Sequence, residues 1–186
     1  CLPNFKKPGY ILEESASIRA VVRVYGEESG NMNHGLTPKE IAEIAKGQRD
    51  GDRDAAIKAF RELGEAAGDG MVIAATLFGG VICMAGGLMN SAEFIVPGIL
   101  KSMRSTVKTL SGEETGKVQS KVYNLDDPEE FAAFAKGEAR QLKVYGTDKT
   151  VTYDPQKRIG IIRSKIGASK AISLGAYAFA LNQLDK

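Results

Sequence analysis

Histidine and cysteine are nearly missing from this sequence: His34 stands alone in 186 residues, and the cysteines are Cys1 and Cys83. Two cysteines make no disulfide framework, and nothing pairs at zinc-ligand spacing, so a reducing cytosol is the default compartment. Charge of one sign is scarce as well. Lys and Arg number 25 against 23 Asp and Glu, leaving +2, too little for a nucleic-acid-binding surface. The small basic excess falls in the second half, which favours an anionic ligand there. No Walker A loop and no nucleophile elbow occur.

A long uncharged run is present, from Gly70 to Ala92, long enough to cross a bilayer. Its glycine pairs, Gly79-Gly80 and Gly86-Gly87, would interrupt any helix, so it reads as a helix end, a buried strand and a turn. No membrane partner is expected. The first residue is Cys1 rather than Met, which reads as a fragment or a processed product. A mature bacterial lipoprotein also begins with cysteine, but the residues that follow do not form its usual flexible polar tether.

With 43% hydrophobic and 26% charged residues, the chain has the composition of one ordinary globular domain. Ile18, Val21, Val22 and Tyr25 predict a helix starting near Ser15 or Ser17, with residues 26–36 as loop. Thr37-Pro38-Lys39-Glu40 is a capping-box start, with Leu36 and Ile41 placed for a hydrophobic staple. Phe60, Leu63, Ala67, Met71, Ala74 and Phe78 recur at steps of three or four, predicting a helix from Arg53 to Phe78. Its glycine and alanine side is narrow enough for close packing.

Val81 to Ala85 then reads as a strand buried on both faces, with Cys83 as a small core residue. After Gly86-Gly87, Asn90 or Ser91 can cap a helix reaching Thr109, with Pro97 early in it or kinking it. Val118, Ser120 and Val122 alternate as in a half-buried strand, and Asp127-Pro128 opens another helix. Leu142, Val144, Val151 and Tyr153 flank a turn at Gly146-Thr147-Asp148, predicting a hairpin. A last helix spans Ser169 to Leu184, with Ala171, Gly175 and Ala178 as a small-residue face.

Few residues carry chemistry on their own. His34 sits in a polar loop without placed partners, and Asp154-Pro155 and Asp126-Asp127-Pro128 read as turn and cap residues. Gly86-Gly87 at the end of a parallel strand allows a ligand to approach the backbone, although a plain tight turn gives the same pattern. Gly167 leads a second glycine turn into the last helix. Two such turns in one domain point to a binding cleft.

The segments "GDRDAAIKAFRELGEAAGDGMVIAATLFGGVICMAGGL" and "SKIGASKAISLGAYAFAL" resemble the C-terminal half of the ROK family of bacterial sugar kinases and repressors. The resemblance implies an α/β fold, the three-layer C-terminal lobe of an actin-like (ribonuclease-H-like) ATPase, over residues 1–186. Residues 111–165 would be a family-specific insertion carrying the hairpin and a helix. Gly86 and Gly87 would match the turn that holds the adenosine of ATP, with Leu88 and Asn90 beside it.

Aligning the family's Gly-Cys-x-Glu segment places its sugar-binding glutamate at Glu13; the residue-level alternative is a charge at a helix N-terminus. Tyr10 and Ile11 stand where that segment has Gly-Cys, so no zinc site is expected. The Asp-x-Gly phosphate loop has no counterpart, since Asp69-Gly70 falls inside the long helix region and not after a strand; the catalytic Asn-Asp pair and the Gly-rich phosphate loop are missing too. These would lie upstream of Cys1.

The implied function is transfer of the ATP γ-phosphate, with Mg²⁺, to a hexose or amino sugar by a cytoplasmic protein. This segment alone would be inactive. Its expected partners are the sugar and nucleotide, the N-terminal lobe and a second copy in a homodimer. Two other readings stay open: a sugar-responsive repressor of the same family, which alone would bind nucleic acid, and a non-catalytic binding relative.

Overall fold

The computed structural model describes residues 1–184. Helix α1 spans Ile18–Ser29 and buries Val21, Val24 and Tyr25. It continues through residues expected in the loop, and the reason is Gly26. A Cβ there would meet the Met32 Cα at 3.2 Å, so this glycine marks a close return of the chain rather than a break. Gly30, at φ 72°, ends the helix. Ser17 occupies the N-cap position without accepting a capping hydrogen bond, and its hydroxyl oxygen is buried with no partner. Helix α2, Pro38–Ala45, starts on the expected capping box, with Thr37 and Glu40 bonding each other's backbone. Leu36 and Ile41 both pack into the core.

Helix α3 runs from Arg53 to Phe78, capped by the Asp52 carboxylate, which accepts from Ala55 N at 2.9 Å. Helix α4, Ala92–Met103, packs back on it. The two backbones nearly touch. A Cβ on Gly64 would fall on the Ile95 carbonyl oxygen, one on Gly98 would lie 2.5 Å from the Arg61 oxygen, and one on Gly68 2.8 Å from the Ile99 oxygen. Beside the crossing, buried Asp69 of α3 accepts from Ser102 Oγ at 2.5 Å and Lys117 Nζ at 2.9 Å. Pro97 lies inside α4, as expected. The helix ends at Met103, well short of Thr109, because the chain turns at Arg104 into strand β2, Thr106–Lys108, which pairs with β3, Glu114–Gly116. The Arg104 guanidinium fixes that turn by donating to the Val122 carbonyl at 3.0 Å and pairing with Glu130.

The sheet at the centre is parallel. Strands β1 (Gly80–Met84), β4 (Lys121–Asn124) and β7 (Arg158–Arg163) stand in the order β1-β7-β4. Ile159 and Ile161 of β7 are fully buried. Residues 111–165 thus supply two of these three strands. Strand β1 is not buried on both faces: Val81 is 52% exposed and Cys83 is exposed, so Cys83 is not a core residue. The cause is position, since β1 is an edge strand from which only Met84 is buried and Ile82 packs against the core half-buried.

Helix α5, Pro128–Lys136, is capped by Asp127, and Phe134 meets Tyr123 edge to face at 5.6 Å. The expected hairpin forms from β5, Arg140–Lys143, and β6, Thr150–Tyr153. Helix α6, Ala168–Leu184, has no buried residue, and Ile172, Tyr177 and Phe179 are exposed. Its small-residue face therefore packs on nothing among the described residues. No described helix is long and apolar enough to cross a membrane.

The crossing makes a direct prediction. Gly98→Ala forces a methyl against the α3 backbone and should cost about 2 kcal/mol, seen as a fall in Tm of roughly 4–8 °C. Gly175→Ala, where a Cβ meets nothing within 4 Å, should leave Tm unchanged or slightly raised in the same thermal-unfolding assay.

Candidate functional site

Strands β1 and β7 run parallel and end side by side, the position where open α/β sheets bind ligands. The chain leaves β1 at Met84 and turns at Gly86, whose φ of 112° only glycine adopts without strain. Residues Gly87–Ser91 form a 3₁₀ turn, with Met89 N donating to Gly86 O at 3.1 Å. Gly87 differs from its neighbour. Its φ is ordinary and a Cβ would meet nothing within 4 Å, so neither backbone nor packing requires glycine there. The side facing it is open to a ligand.

The turn is a ridge between two clefts. One, of about 710 Å³, has an apolar wall of Ile18, Ala42, Phe60 and Leu88 beneath a rim at Thr37–Lys39. The other, of about 500 Å³, is polar, with Asp126, Arg163, Ser164 and Lys165 around Gly167. Ala85, Gly86 and Asn90 line both. The two glycine turns found in the sequence therefore meet at one place, with Gly167 at φ 74° leading into α6.

Charged side chains hold the ridge from outside. Lys46, just after α2, donates to the Asn90 carbonyl at 3.2 Å and approaches Glu93 at 3.6 Å. Arg163 Nε donates to Asp126 at 2.9 Å, and its backbone N–H reaches the same oxygen at 3.2 Å. Asp126 and Asp127, read together as cap residues, have separate tasks: Asp127 caps α5 while Asp126 ties β7 to the end of β4. The sequence signal was Arg163-Ser164-Lys165 directly after an apolar strand and before Gly167, a pattern masked because β7 was not recognised as a strand.

On the rim, the backbone N–H of Thr37, its hydroxyl and Arg49 hold the Glu40 carboxyl below the ordinary range. A depressed folded-state value means the capping box contributes at pH above that range and is lost as pH falls through it.

Glu13 lies elsewhere. It is exposed on a 3₁₀ turn, Leu12–Glu14, lines neither cleft, and has no hydrogen-bond or ion-pair partner among the described residues. Ile18, five positions on, reaches the apolar cleft. The segment before Glu13 seats on α3 through Lys6, which pairs with Glu65. Burial works to raise the Glu65 carboxyl, but hydrogen bonds from Lys101 and Lys6 outweigh it and hold it below the ordinary range. His34 is structural: Nδ1 accepts from Leu36 N and Nε2 donates to Val22 O, each at 3.0 Å, with its ring edge-on to Tyr25.

The fold as a whole matches a solved structure. The chain is similar to a glucokinase. A crystal structure of glucokinase from Parabacteroides distasonis ATCC 8503 shares 52% sequence identity and a TM-score of 0.86, over 98% of this chain and 49% of that one. The chain thus spans about half the length of the glucokinase it matches. No protein-family model and no curated protein matches it. The similarity supports a sugar-kinase-like mixed α/β fold with a parallel sheet, and lends nothing to the repressor reading.

The two glycines of the ridge should respond differently to the same methyl. Gly86→Ala, forced to positive φ, should lose about 1–2 kcal/mol, measured by chemical denaturation. Gly87→Ala should fold as stably as the parent. Equal losses would mean that Gly87 is also a structural requirement. A second prediction concerns acid: the amides of α2 should lose exchange protection as pH falls below the ordinary glutamate range, and Glu40→Gln should show the weakened cap already at neutral pH.

Proposed function

We propose that this chain is the C-terminal, actin-like lobe of a ROK-type, ATP-dependent kinase acting on a hexose or amino sugar. The observation that carries the reading is the similarity to a glucokinase at 52% identity along 98% of the chain. The Gly86-Gly87 ridge supports it independently. Adenosine would lie on the ridge, against the backbone that Gly87 leaves uncovered, with its base toward the apolar wall and Leu88 and Asn90 flanking it. Lys165, beside the Arg163–Asp126 pair, leaves the neighbouring cleft with a positive charge that suits an anionic ligand.

In this reading Glu13 accepts hydrogen bonds from sugar hydroxyls, which its exposed and unpartnered carboxylate is free to do. The general base and the phosphate loops belong to the other lobe, and closing the lobes brings the sugar hydroxyl in line with the γ-phosphate and excludes water. Mg²⁺ would arrive with the nucleotide, held by its phosphates and by one or two carboxylates. Cytoplasmic location and a homodimer complete the proposal.

The test is ATP-dependent phosphorylation by the full-length protein across hexoses and N-acetylhexosamines, with the isolated chain as an inactive control. Turnover of one sugar is the expected result; a folded full-length protein that phosphorylates none overturns the kinase reading. In the active protein, Gly87→Val should raise the KM for ATP by about 100-fold, equivalent to roughly 2.7 kcal/mol, with sugar affinity and Tm nearly unchanged. An unchanged KM for ATP would remove adenosine from the ridge.

A further inference from the structure

One buried side chain ties together the two arms of the segment that presents Glu13. Residues 2–15 double back on themselves: Pro3 bridges Ile11, Asn4 N donates to Tyr10 O at 3.0 Å, and Leu12 N donates to Leu2 O at 2.9 Å. Inside this fold-back sits Asn4, only 2% exposed. Its Oδ1 accepts from the backbone N–H of Lys6 and of Lys7, both at 3.0 Å. Its Nδ2 donates to the Ile11 carbonyl at 3.2 Å and to Ser15 Oγ at 2.8 Å. A primary amide has two donor and two acceptor positions, and all four are used. The partners also fix the amide's orientation, since two N–H groups require an oxygen and a carbonyl requires an N–H. Ser15, one of the two positions where the sequence predicts a helix start, lies before α1 and accepts from Asn4 instead.

The four contacts reach both ends of the segment. Lys6 and Lys7 lie on the outgoing arm, while Ile11 and Ser15 bracket the 3₁₀ turn Leu12–Glu14 that carries Glu13. Other anchors tie the segment to the helices rather than to itself: Leu12 packs over Gly70 of α3, Lys6 pairs with Glu65, and Arg23 of α1 donates to the Glu14 carbonyl at 3.0 Å. A four-way tie at the centre of an irregular loop is what a four-coordinate metal ion otherwise supplies. Residues 1–17 do not by themselves make a zinc site: Tyr10 and Ile11 stand where the family segment has Gly-Cys, Cys1 is the one thiol among them and is exposed, and two lysines stand in the loop.

We infer that Asn4 is a positioning residue for the sugar site, whose amide fixes the Glu13 turn in place of a metal ion. The inference rests on the reading of Glu13 as a sugar contact, and the experiment separates the two. In the full-length protein, Asn4→Ala should raise the KM for the sugar by roughly tenfold or more, with kcat and the KM for ATP within about twofold. Asn4→Asp keeps the acceptors for Lys6 and Lys7 but sets a carboxylate against the Ile11 carbonyl, and should show a smaller rise.

Amide exchange at Lys6 and Lys7 gives a readout independent of activity. It should accelerate in Asn4→Ala, while exhaustive chelation of the parent should change neither exchange nor kinetics. Unchanged exchange in Asn4→Ala would show that the tie does not hold the loop. Faster exchange with an unchanged sugar KM would show that it does not position Glu13. Stoichiometric zinc, lost on chelation together with loop protection, would assign the task to a metal. Glu13→Gln is the control for the underlying reading: if it leaves the sugar KM unaltered, or if the parent phosphorylates no sugar, that reading fails while exchange and metal content still decide the role of Asn4.

Discussion

The architecture hangs on the backbone contact between α3 and α4. Gly64, Gly68 and Gly98 remove the side chains that would otherwise hold two helices 8–10 Å apart, and the gap they close fixes everything strung between the helices. Strand β1 and the Gly86 turn are that connection. With α3 and α4 pressed together, β1 is set beside β7 and the turn emerges at the carboxyl ends of both strands. Asp69, bonded to Ser102 and Lys117, pins the same crossing to the segment entering β4. Helix packing and cleft position are therefore one constraint.

The ridge divides surfaces of opposite character. On one side the aliphatic and aromatic wall is an extension of the core, since Phe60 is fully buried and still lines the cleft. On the other, the polar cleft lies where β4 and β7 end and their charged residues pair, Asp126 with Arg163. A ligand with an apolar flat part and a charged part matches such a boundary better than a uniformly polar one. Lys46 holds the ridge at the Asn90 carbonyl, while Asp126 binds β7 to the end of β4 across the polar cleft.

Much of this was legible in the sequence wherever one local rule acted alone. The capping box at Thr37 and Glu40, the three-four spacing of α3 and the glycine interruption after Phe78 each specify local structure without tertiary help, and each appears as expected. Errors came where tertiary context decided. Gly26 looks like a stop and is a contact point; Arg104 ends α4 early because a carbonyl on β4 takes its guanidinium; β1 is apolar enough to be buried and lies at an edge. Strand β7, though the best buried of the three, was hidden among the charged residues on both sides of it. The Asn4 network was illegible for a different reason: four hydrogen bonds to one amide depend on a fold-back that no periodicity encodes.

The contrast between the adjacent glycines of the ridge also bears on how such a chain changes through descent. Gly86 is demanded by its dihedral angles, so any lineage that keeps the fold keeps it, whatever the protein does. Nothing among the described residues demands glycine at 87, so a side chain there would leave this fold unharmed. If adenosine lies on the ridge as proposed, the identity of residue 87, set against an unvarying residue 86, records whether the cleft is still in use.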